Sequence, residues 1–234
     1  MNKTLLYVAV VASMCFLAPD WGRAAERAPV LMIGDSMMRL ISIAIEKQLK
    51  ADGVQPASSY TSLGSGLARM DVFDWFSKVD SLMKEHRPAT VVVTLGANDR
   101  QALKDTTGRV IMFGTPEWET EYALRIGRIM DEIIKGGANR VIWLLLPDMK
   151  ETWQQEYAIS LNAIYAREAA IGARKEKVVF FDMRPLLSRK PGTYSHYMMA
   201  SDGVALAVRD SDGMHLSPVG AQRVAQAIST TYFK

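Results

Sequence analysis

Short apolar runs that stop at a turn residue recur along the chain, each followed by a stretch with apolar residues at helical spacing. Val30-Leu31-Met32-Ile33 stops at Gly34, and Leu40, Ile41, Ala44, Ile45 and Leu49 then recur at intervals of three and four, which predicts strand, tight turn, helix. The pattern repeats: Thr90 to Leu95 stops at Gly96, Val141 to Leu146 at Pro147 and Val178 to Phe181 at Asp182. Each run is apolar on both faces. Helical stretches are expected over Val72 to Lys84, Trp118 to Lys135, Gln154 to Ile171 and Ser217 to Tyr232, with a short second strand near Ser59 to Ser62. Strands that alternate with helices in this way form a parallel sheet covered on both sides. Two longer loops, Arg100 to Pro116 and Arg184 to Ser211, leave from the carboxyl edge of the strands, where ligands bind in open α/β sheets.

The first residues follow a different pattern. Lys3 gives a positive start, Leu5 to Ala18 is an apolar run too short to span a bilayer, and Ala24-Ala25 supplies small residues. Residues 1–24 are therefore expected to be a signal peptide cleaved near Ala24 or Ala25. Residues 25–234 form a single domain, and the destination is periplasmic or secreted, with no membrane span after cleavage. The only cysteine, Cys15, leaves with the signal, so the mature chain has neither disulfides nor thiol chemistry. The 28 Lys+Arg against 25 Asp+Glu include no basic run of the kind that tracks a phosphate backbone, which argues against nucleic acid as a partner.

Ser36, directly after the first strand, stands where helix N–H groups favour developing negative charge, although a serine at such a turn commonly just caps the helix. A nucleophilic serine needs a base oriented by an acid. Of three histidines, His86 lies in a charged helix end and His196 in the long loop among Tyr194 and Tyr197, as packing or substrate contact. His215 follows Asp212 by three residues just before a Ser-Pro helix start, so the carboxylate can brace its ring across a tight turn. Asn98, after the third strand, can aim an amide N–H at an oxyanion, or simply close a turn. Gly64 and Gly66 allow close backbone approach to a ligand, or mark a plain flexible turn. Nothing has metal-ligand spacing, a dinucleotide glycine pattern or a Walker lysine, so no metal and no cofactor is expected.

Taken together, Gly34-Asp35-Ser36, a glycine after the second strand, Gly96-Ala97-Asn98-Asp99 and Asp212-Gly213-Met214-His215 resemble, in order, the four sequence blocks of the SGNH, or GDSL-type, hydrolases. The flanking residues look like an exported proteobacterial subgroup. The resemblance implies a three-layer α/β/α flavodoxin-like fold around a parallel five-stranded sheet, with Ser36 as nucleophile, His215 as base and Asp212 as its acid. It also implies an oxyanion hole from the Ser36 amide, Gly66 and the Asn98 side chain. Gly66 is preferred to Gly64 because Ser-Gly before a helix fits the family pattern. Met37 replaces the usual Leu, and the second block lacks its common Asn. The expected activity is that of a serine esterase on O-acyl esters of cell-envelope or extracellular carbohydrate, or of small esters. The alternatives are an O-acyltransferase with the same triad and a non-catalytic glycan-binding module. Arg100, Tyr194 and His196 are candidate substrate contacts. Trp118, Trp153, Tyr157, Tyr194 and Tyr197 are candidates for stacking on sugars or else ordinary packing, and Arg100 and Arg69 are candidates for meeting an anionic group or else solvated surface arginines.

Overall fold

A computed structural model describes residues 29–54, 57–190 and 192–234; the expected signal segment lies outside them. In chain order the first elements are β1 (Val30–Gly34), α1 (Ser36–Ala51), β2 (Ala57–Thr61), α2 (Trp75–His86) and β3 (Thr90–Thr94). A small hairpin, β4 (Leu103–Lys104) and β5 (Val110–Ile111), precedes α3 (Pro116–Lys135) and β6 (Arg140–Leu144). Then come α4 (Thr152–Ala169), the single turn α5 (Arg174–Lys177) and β7 (Val178–Phe181). The single turn α6 (Arg184–Leu187), a second hairpin of β8 (Tyr197–Met199) and β9 (Ala205–Ala207), and α7 (Pro218–Tyr232) complete the chain.

The central sheet has five parallel strands in the order β2-β1-β3-β6-β7. The three inner strands explain the unbroken apolar runs. Leu31, Ile33, Val91, Val93, Val141 and Trp143 point into a core closed by α2, α3 and α4. Val30, Met32, Val92, Ile142 and Leu144 point the other way, into a core closed by α1 and α7. This is the three-layer α/β/α arrangement expected from the sequence. The edge strand β2 reads Ala-Ser-Ser-Tyr-Thr, is only partly buried, and begins two residues before its expected start. A half-exposed edge strand carries too little hydrophobic signal to fix its ends. Both long loops are folded rather than irregular, since each contains a two-stranded hairpin. Among the described residues no helix is long and apolar enough to cross a membrane.

Candidate active site

Ser36 is the first residue of α1, directly beyond β1. Asp35 caps that helix: one carboxylate oxygen accepts the Met37 amide at 2.9 Å, and the other accepts the Gly96 and Ala97 amides at 3.1 and 3.2 Å. The buried acid thus ties the turn carrying Ser36 to the turn carrying Asn98. Burial pushes the Asp35 carboxyl up to about 7, aided by the charge of Asp99 and opposed by the three amide donors.

His215 arrives from the loop before α7. Its Nε2 lies 2.8 Å from Ser36 Oγ, and its Nδ1 lies 2.5 Å from Asp212 Oδ2. The other Asp212 oxygen accepts the Met214 and His215 amides at 2.8 and 2.9 Å. The turn is only possible with glycine between: Gly213 sits at φ +75°, and a Cβ there would stand 2.5 Å from Lys150 Cβ. Burial works to raise the Asp212 carboxyl, but the His215 ring and the two amides outweigh it and hold it below the usual carboxylate range. Ser36, His215 and Asp212, far apart in sequence, form one hydrogen-bonded chain, the arrangement in which an acid orients a base beside a hydroxyl.

The glycine-containing turn after β2 is fixed from beneath. Asp99, fully buried, accepts the Leu67 and Ala68 amides and the Tyr122 hydroxyl, each at 2.8 Å. Burial raises its carboxyl, against the pull of those donors. Asn98 donates one side-chain N–H to the Ser65 carbonyl at 2.9 Å, which leaves its second N–H for other use. Among the described residues the backbone N–H groups of Ser36 and Gly66 donate to no acceptor. Gly66 is buried, and an added Cβ would meet the Asp99 carboxylate at 2.0 Å; Gly64 is exposed, with nothing near it.

A cleft of about 380 Å³, whose lining includes Ser36, Arg39, Leu40, Leu63, Asp210, His215 and Leu216, opens at the hydroxyl. A larger cleft of about 560 Å³ between α2, α3 and the β4–β5 hairpin contains none of these reactive groups. Volume therefore does not mark the site; the reactive groups do.

The other candidate residues divide. Tyr194 and His196 meet each other, hydroxyl to Nδ1 at 3.2 Å, and the Tyr194 ring lies 5.0 Å from the Arg209 guanidinium behind the His215 loop. Arg100 lies over the rings of Phe113 and Trp153. Trp153 and Tyr197 are exposed, whereas Trp118 and Tyr157 are core residues and offer sugars nothing. Both belong to the α3 and α4 faces turned toward the sheet. Arg69 is paired with Asp71 at 2.8 Å. Met37 is buried, in keeping with a packing role.

Arg209 is the participant that sequence reasoning missed. Its side chain is fully buried and donates to the carbonyls of Asp148 (2.5 Å), Met214 (2.7 Å), Gly213 (3.3 Å) and His215 (3.4 Å). One guanidinium thereby holds the loop of Asp212 and His215 against the end of β6. Burial lowers its pKa to about 10, so it stays charged at neutral pH. The only hint in the sequence is an arginine three residues before Asp212, which looks like any surface arginine.

Residues 29–231 match the family described as "Protein of unknown function (DUF459)". The chain belongs to the DUF459 family. Its fold is that of the SGNH-type hydrolases, as expected from the four blocks. The DUF459 chain is similar in structure to an acetyl esterase solved with an acetate ion (TM-score 0.57, 13% identity, 88% of this chain and 96% of that one). It is also similar to the lipase Lip_vut3 from a goat rumen metagenome (TM-score 0.54, 11% identity, 88% and 98%). The catalytic domain of Streptococcus pneumoniae peptidoglycan O-acetyltransferase A aligns at TM-score 0.48 and 16% identity, over 87% of this chain and 92% of that one. No curated protein matches the sequence.

Proposed function

We propose that the protein is an exported serine esterase that removes O-acyl groups from cell-envelope or extracellular carbohydrate. The observation that carries this reading is the chain from Asp212 through His215 to Ser36, open to a cleft at the hydroxyl. Ser36 Oγ attacks the acyl carbonyl while His215 Nε2 takes its proton. The oxyanion of the tetrahedral intermediate receives the amides of Ser36 and Gly66 and the free N–H of Asn98. Collapse breaks the ester bond, and His215 returns the proton to the departing alcohol. Water, deprotonated by His215, then cleaves the acyl-serine and restores Ser36. Asp212 keeps the ring in the tautomer that leaves Nε2 free to accept. Export rests on the signal pattern of residues 1–24, and the carbohydrate on the surroundings to which that pattern delivers the protein.

A sugar hydroxyl in place of water makes the same centre an acyltransferase, and the exposed Trp153 beside Arg100, two residues past Asn98, supports an acceptor site there. Both readings are tested on one assay: p-nitrophenyl acetate with wild type and Ser36→Ala, with and without an acceptor glycan. We expect the variant to lose about 10³-fold or more in turnover, leaving only binding and oxyanion effects. Equal rates for the two proteins refute the serine mechanism. Product that forms only with the glycan present replaces hydrolysis by transfer.

A further inference from the structure

Arg100 follows Asn98 by two residues, which keeps their Cα atoms within about 7 Å of one another. Its guanidinium lies over two rings at once, 5.2 Å from the centroid of Phe113 and 5.0 Å from that of Trp153. The rings are not loose. Phe113 packs edge-on against Trp118 at 5.0 Å and Tyr157 at 5.6 Å, and the Tyr157 hydroxyl donates to the Gly96 carbonyl at 2.8 Å. Trp153 is one helical turn before Tyr157 on α4, on the same face. Arginine and indole thus lie beside Phe113, whose packing partner Tyr157 is hydrogen-bonded to the turn that carries Asn98.

The charge on this platform is not answered within the protein. Arg69 meets Asp71, Arg109 meets Asp105 and Arg167 meets Glu119, but among the described residues Arg100 has neither a carboxylate partner nor a hydrogen-bond acceptor. A guanidinium over aromatic rings spends none of its N–H donors on them, and those donors form the fork that suits a carboxylate or phosphate. Beside it Trp153 is 47% exposed, an apolar face for the C–H side of a sugar ring.

Resting on the esterase reading above, we infer that Arg100 and Trp153 form the subsite for the alcohol side of the ester, and that it takes an acidic pyranose bearing a carboxylate or a phosphate. The cleft at the Ser36 hydroxyl, where Leu40, Leu63 and Leu216 stand beside Arg39 and Asp210, is left for the acyl group.

The test uses the Ser36→Ala protein, so that binding is read without turnover. Calorimetric titrations compare trigalacturonic acid, glucose 6-phosphate and neutral maltotriose. We expect at least one acidic ligand to bind about tenfold more tightly than maltotriose, or about 1.4 kcal/mol, and the stronger of the two names the anion. Arg100→Gln should remove that preference, and Trp153→Leu should weaken acidic and neutral sugars alike. Unchanged melting temperatures guard against misfolding of these surface variants. Equal binding of acidic and neutral sugars, no binding at all, or an acidic preference that survives Arg100→Gln overturns the assignment. Ser36-dependent hydrolysis of p-nitrophenyl acetate without sugar preference refutes the subsite alone. Sugar preference without such hydrolysis refutes the esterase reading alone.

Discussion

Replacing Arg209 by methionine separates stability from catalysis in a way that the geometry fixes in advance. The substitution keeps most of the buried stem and removes the guanidinium from four carbonyls. Two of these retain another donor: Gly213 O accepts the Lys150 amide at 3.3 Å, and His215 O accepts the Asp210 amide at 2.9 Å. The carbonyls of Asp148 and Met214 are left bare, at a cost of about 1–3 kcal/mol each, so about 4 kcal/mol together. Against this, burial holds Arg209 at a pKa of about 10 instead of 12.5, a disfavouring of the charged form by about 3 kcal/mol that the variant no longer carries. The net loss is about 1 kcal/mol, a fall in Tm of about 2–4 °C for a chain of this size. The effect on turnover should be far larger. Without the guanidinium, nothing else fastens Met214 O to the end of β6, and a displacement of His215 of about 1 Å costs about 10²-fold in rate. Thermal melting and p-nitrophenyl acetate turnover on the same preparation read both quantities. Arg209→Lys, which retains the charge and reaches fewer carbonyls, should fall between. A methionine variant that melts far lower yet keeps nearly full turnover would show that Arg209 merely supports the fold.

Two further outcomes test other parts of the site. Gly66→Ala drives a Cβ into the Asp99 carboxylate and should cost about 1–3 kcal/mol of stability by overpacking as well as most of the activity, whereas Gly64→Ala, exposed at φ +69°, should cost about 1 kcal/mol and leave turnover intact. The reverse order in melting and turnover would move the oxyanion donor to Gly64. Asp35, raised by burial to about 7 from 3.8, keeps its proton in the folded state through a range where the unfolded chain has lost it. Stability should therefore fall as pH rises from about 4 to 7, by about 4 kcal/mol from this group. Urea midpoints across that range should show a smaller fall in Asp35→Ser, and an identical profile in both proteins would place the Asp35 pKa near its ordinary value.

The sequence discloses the layers and the reacting groups for different physical reasons. A strand covered on both faces must be apolar at every position, so β1, β3, β6 and β7 stand out as runs, and each α/β turn then falls at a predictable edge. The turns at Ser36, Asn98 and His215 carry short-range constraints: Asp35 caps its own helix, and Asp212 braces a ring three residues on across Gly213. Local geometry of that kind leaves a local pattern. What stayed hidden acts at long range. Asp99 reaches back 32 residues to the Leu67 amide, and Arg209 spans 61 residues to Asp148. Trp118 and Tyr157, open in the sequence to packing or to sugar, lie in the core, because an aromatic residue looks the same in a sequence whether its partner is a sheet or a sugar. The same holds for charge. Arg69 and Arg100 are equivalent as letters, yet one is paired with Asp71 and the other lies over two rings with no acid partner among the described residues. Ser36, Asp212 and His215 are thus legible in the sequence as ordered blocks on a strand-helix pattern, while Arg209 and Asp99, which hold their turns, emerge only when distant segments are brought together.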